Sequence, residues 1–136
     1  MPDFVRNNRL LWTLQILLAA LFVFAAVAKL TMPADQLTAT GPAWVSAGLL
    51  RFVAVMEILG ALGLILPGLV GVRRELTPLA AAGLVIIMIA ATAITASTIG
   101  ALPALLPLCT GIVAAIVAYG RYQTAPRRPD VAPTRT

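Results

Sequence analysis

Residues 78–96 contain no charged side chain, and only Thr92 and Thr95 among them carry a hydroxyl group. No other feature restricts the fold so sharply, because a helix of a soluble bundle needs a polar face toward water and this segment has none. Residues 10–30, 44–66 and 101–119 are similarly apolar, so the chain holds four such segments of 19 to 23 residues. At about 1.5 Å per residue, a helix of this length spans roughly 30 Å, the thickness of a bilayer's hydrocarbon core. The chain therefore reads as an all-α polytopic membrane protein, a bundle of four transmembrane helices. Composition agrees, since 60% of the 136 residues are hydrophobic, 11% are charged and the mean hydropathy is +0.97, beyond what a soluble core requires.

The prolines predict where the segments end. Thr77 followed by Pro78 reads as an N-cap with proline at the first helical position, Pro67 and Gly68 close the second segment, and Pro33 ends the first. Pro103 and Pro107 fall in the first turns of the fourth; one is easily accommodated, and the second kinks the helix or moves its start to about Ala104. Residues 1–122 form the transmembrane domain. Residues 123–136, with three prolines, three arginines and almost nothing to bury, read as a disordered cytoplasmic tail.

Orientation follows from the basic residues outside the spans. Arg6 and Arg9 precede the first helix, Arg73 and Arg74 lie between the second and third, and Arg121, Arg127, Arg128 and Arg135 follow the fourth, all on one side. The opposite side holds loop 31–43, whose single charge is Asp35, and the uncharged connection 97–100. Both termini are therefore expected in the cytoplasm, and the preference for Ala and for Arg over Lys suggests a bacterial inner membrane. The run ending in Ala26-Val27-Ala28 has the look of a signal-peptide cleavage site. It is longer than a signal's apolar core, however, and its removal would leave three spans with an external N-terminus, so it is read as a retained helix.

The chain has no histidine, and Cys109 is its single cysteine. Histidine-bound metal or haem, Ser-His-Asp triads and CxxC redox pairs are thereby excluded within it. Cys109, in a Leu- and Ala-rich stretch, reads as a small buried hydrophobe. The net charge of +5 comes from arginines outside the spans, with no basic stripe of interleaved aromatics, so no nucleic-acid partner is expected. Trp12, Trp44, Tyr119 and Tyr122 lie at segment ends, as an interfacial aromatic belt requires.

Three ionisable residues fall inside or at the edge of the spans: Lys29, Arg51 and Glu57. A charge at mid-membrane costs about 2.5 to 3.5 kcal/mol on insertion scales, so such groups face the bundle interior and find partners. Glu57 is followed by Gly60, Ala61 and Gly63, a small-residue face on which another helix can pack closely. Arg51 lies six positions from Glu57, about 120° around the helix, and does not pair along it. Lys29, on the preceding helix, can reach inward to Glu57 or outward to headgroups. A Lys29-Arg51-Glu57 cluster with Asp35 and Gln36 above it is the candidate binding site. The competing reading is structural: Lys29 snorkels, Arg51 bonds carbonyls or lipid phosphate, and Glu57, protonated or paired, fixes packing alone. Thr92 and Thr95 read as interhelical hydrogen-bond donors or as satisfied within their own helix.

The stretch Phe22-Val23-Phe24-Ala25-Ala26-Val27-Ala28-Lys29-Leu30 and the run of residues 57–68 from Glu57 through Gly60, Gly63 and Pro67 to Gly68 resemble the DoxX-like family of small four-helix membrane proteins. The resemblance implies a non-catalytic accessory or anchoring subunit of a membrane redox complex, one that contacts quinone or recruits a soluble redox enzyme. With no cofactor ligands of its own, the chain matches a scaffold better than an enzyme. Two alternatives stay open. One is a small proton-coupled transporter, although exporters of that size carry their acid in the first helix, where this chain has Gln15 and Lys29, and Arg51 would repel a cation. The other is an assembly chaperone for membrane proteins. A homo-oligomer is compatible with each. A four-helix thiol oxidoreductase needs a second cysteine to cycle a disulfide within the chain.

Overall fold

The computed structural model describes residues 7–71, 73 and 75–124. They form five helices: α1 (Asn8–Thr31), the short α2 (Ala34–Thr38), α3 (Ala47–Val70), α4 (Leu76–Thr98) and α5 (Ala101–Thr124). Each of the four long ones is apolar and long enough to cross a membrane, and no strand occurs among the described residues. The helices run alternately up and down. The start of α1 and the end of α5 share one end of the bundle, called here the terminal end, while α2 packs against α3 at the other.

α1 packs chiefly on α3 and α4 chiefly on α5, giving two antiparallel pairs joined through α3 and α4. One stripe per helix is buried: Leu11, Gln15, Leu18, Phe22 and Ala26 on α1; Ala54, Glu57, Ala61 and Leu64 on α3; Thr77, Ala81, Leu84 and Met88 on α4. The spacing of three and four residues keeps each stripe on one face. The core cluster of Leu18, Phe22, Ala61, Leu64, Ala81, Leu84, Met88, Ala114 and Val117 occupies the middle of the bundle and its terminal half. Beyond Met88, α4 has no buried residue, so the two helix pairs pack less closely toward the α2 end.

The helix boundaries depart from the proline-based expectation at several points. α3 runs through Pro67 and Gly68 to Val70, where the Gly71 N–H donates to the Pro67 carbonyl at 3.1 Å and Gly71 takes φ +73, a left-handed conformation that suits glycine. The bond that Pro67 cannot donate is a loss a membrane helix tolerates when its neighbours pack well. α4 begins one residue before Thr77, which is buried in its first turn rather than capping it. α5 is continuous from Ala101 with Pro107 inside it, and it includes Gln123 and Thr124; the remainder of the expected tail, residues 125–136, lies outside the described residues, as do Arg6 and Arg74. α2, absent from the sequence reading, follows Pro33, its N-cap. Cys109 is exposed, because it precedes buried Thr110 by one position and so points about 100° away around the helix.

Candidate functional site

Lys29 lies three positions after Ala26 and thus extends the buried stripe of α1, while Glu57 lies on the buried stripe of α3. Side chains lean toward the N-terminus of their own helix, and α1 and α3 are antiparallel, so the two lean toward each other. Lys29 Nζ donates to Glu57 Oε1 at 2.8 Å and to Oε2 at 2.7 Å. The carboxylate is 1% exposed and the lysine 27%. Of the two positions open to the lysine, the structure has the inward one.

The remainder of the expected cluster is not assembled. Arg51 is exposed and makes no hydrogen bond or ion pair among the described residues, since it lies off the stripe that carries Glu57. Asp35 and Gln36 are exposed on α2. Gly60 and Gly63 do lie at a close helix contact, with α4. A Cβ at Gly60 would stand 2.7 Å from Leu84 Cδ2, and one at Gly63 would stand 2.6 Å from Ala80 Cβ. The two glycines thus let α4 approach α3 one to two turns beyond the ion pair.

The Lys29–Glu57 pair forms part of the wall of a cavity of about 450 Å³, at the α2 end of the core. All four long helices line it, mostly with apolar side chains; Thr95 and Thr110 are its other polar ones. Thr110 Oγ1 donates to the Leu106 carbonyl, and Thr92 Oγ1 bonds Met88 in the same i−4 manner. The Thr95 hydroxyl makes no hydrogen bond among the described residues.

A second polar cluster, which sequence reasoning missed, lies at the terminal end. Gln15, 1% exposed, donates through Nε2 to the Leu64 carbonyl and accepts from Arg121 Nε. Arg121 Nη1 donates to Asn8 Oδ1 at 2.9 Å, and the guanidinium stands 5.3 Å from the Trp12 ring centroid, within cation–π range. Trp12 also covers Gly68, where a Cβ would come within 2.7 Å of the ring. It therefore packs the bundle end in addition to standing near an interface. Asn8, Trp12, Gln15, Thr77, Arg121 and Thr124 line a cavity of about 350 Å³ there. The available signal was Gln15 itself, four positions from Leu11 and three from Leu18 and so on the buried stripe of an otherwise apolar helix.

Among the described residues no group of three or more His, Cys, Asp or Glu side chains is placed to hold a metal ion. The fold and the paired intramembrane charges define a multi-pass α-helical membrane protein in which, among the described residues, one carboxylate is buried, that of Glu57, held by a lysine of the neighbouring helix. The chain belongs to the DoxX-like family, whose profile matches residues 13–119, nearly the whole described bundle. No curated protein and no solved structure matches it.

Proposed function

We propose that this chain is a non-catalytic accessory subunit that anchors a partner at a bacterial inner membrane, within a redox complex. The observation that carries this reading is the Lys29–Glu57 pair. A carboxylate held by a lysine at both oxygens, and almost wholly buried, serves to lock α1 on α3. It is poorly suited to take a substrate cation, which weighs against proton-coupled transport. The redox assignment, with the quinone contact or soluble redox enzyme it brings, rests only on what the sequence resemblance implies. Assembly of other membrane proteins is the remaining alternative. Arg9, Arg73 and Arg121 all lie toward the terminal end, which supports placing that end in the cytoplasm.

The test is purification of the full chain in mild detergent with identification of co-purifying proteins and lipophilic molecules, alongside Glu57→Gln. The expected outcome is a stoichiometric partner that the variant loses while it remains folded. Partner retention at the native level by a folded Glu57→Gln protein would sink the role of this pair in association. Purification of the chain alone, or only with further copies of itself, would remove the accessory reading.

A further inference from the structure

We infer that the 450 Å³ cavity beside the Lys29–Glu57 pair is a binding site for a neutral lipophilic molecule with a hydrogen-bond acceptor head, such as a carbonyl group. The volume falls within the roughly 300–1,000 Å³ of small-molecule sites, which typically combine apolar walls with a few placed polar groups. Phe22, Val53, Ile87, Met88 and Leu106 are among the apolar walls, and the polar groups are Lys29, Glu57, Thr95 and Thr110.

The polar groups define the head of the ligand. A lysine ammonium carries three N–H donors. Two hydrogen bonds go to Glu57, and no further acceptor takes one from Lys29 among the described residues. The Thr95 hydroxyl, lining the same cavity, is likewise uncommitted, whereas Thr92, Thr98 and Thr110 bond carbonyls of their own helices. In low dielectric, uncommitted donors favour a ligand that accepts from them. The charges set the ligand's charge. Lys29 and Glu57 sum to zero, so an anionic head is repelled by the carboxylate and a cationic one by the ammonium, and either is desolvated at a cost that the paired site does not return. A neutral acceptor avoids both terms. Leu21, Ile86 and Leu106 at the rim are exposed, so the cavity is reached from the hydrocarbon phase in which such a ligand dissolves.

The test uses the full chain in phosphatidylcholine nanodiscs and a dodecyl-substituted benzophenone, a neutral ketone that cross-links on illumination. Labelled sites are mapped by peptide mass spectrometry, with 2-tridecanone and tridecane as competitors. Labelling is expected to saturate and to concentrate on the segments 86–95 and 106–110. The ketone should compete at least about tenfold better than the alkane, because a hydrogen bond to a charged group is worth roughly that factor or more. Ala91→Phe, which fills the cavity, should abolish the saturable component. In Lys29→Met/Glu57→Leu, which exchanges the pair for apolar side chains, labelling should remain and the ketone's advantage should disappear. That variant keeps the inference testable if Ala91→Phe does not fold. Non-saturable labelling spread over lipid-facing positions such as Leu62 and Leu69, or equal competition by ketone and alkane in the native chain, would overturn it. Ligand occupancy is read here without any partner protein, so it and partner recruitment can fail separately.

Discussion

Lys29 and Glu57 share one interaction but not one environment. The carboxylate is almost fully buried, whereas more than a quarter of the lysine side chain is exposed. Removing the lysine strands a buried acid, and breaking a buried pair in this way costs about 3–5 kcal/mol. Neutralising the acid leaves a lysine near the end of its helix, able to extend toward the headgroups. Lys29→Met should therefore destabilise the bundle by at least about 1 kcal/mol more than Glu57→Gln, and Lys29→Met/Glu57→Gln should recover much of the loss. Thermal or SDS-induced unfolding in a fixed detergent measures this; equal losses in the two single variants would mean that the difference in burial does not govern the energetics. Recognising both residues as intramembrane charges needed only the sequence. Excluding Arg51 needed the orientation of α3, because a helix apolar on every side does not announce which of its faces is buried.

The contact of α3 with α4 depends on how much each neighbour can yield. At Gly60 a new methyl meets the flexible end of Leu84, while at Gly63 it meets the Cβ of Ala80, which moves only with its backbone. Overpacking in a core costs about 1–3 kcal/mol. Gly63→Ala should fall at the upper part of that range and Gly60→Ala at the lower. Gly63→Ala/Ala80→Gly should restore most of the loss, since it transfers the methyl across the same gap. Unfolding measurements that rank Gly60→Ala as the worse, or a double variant no better than Gly63→Ala, would contradict this packing. The glycine spacing was legible as a close-approach face, but not which helix uses it. Prolines proved a coarser guide, because a single missing hydrogen bond at Pro67 or Pro107 is offset by packing along the whole of the helix.

Taken as one body, the bundle has a central plug of apolar side chains with a cavity at either end, one beside Lys29 and Glu57 and the other beside Gln15 and Arg121. The arginine-rich terminal end predicts a single orientation in the membrane. With Cys109 replaced by Ala, single cysteines at Asp35 and at Glu75 report the two ends, both positions being exposed. Asp35→Cys should react with a membrane-impermeant maleimide in intact cells, and Glu75→Cys only after permeabilisation. The reverse pattern would invert the bundle and move the Lys29–Glu57 cavity to the cytoplasmic half.

Spans, their number and their expected orientation came from the sequence alone, because the physics behind them is local: the length of an apolar run against the thickness of a bilayer, and the arginines that flank it. The rotation of each helix about its axis was left to the tertiary structure. When apolar residues surround a helix, the hydrophobic effect no longer selects a buried face, and packing with neighbours does. That choice brought Lys29 to Glu57 across 28 positions and Arg121 to Gln15 across 106, left Arg51 exposed, and opened the cavity between the two helix pairs.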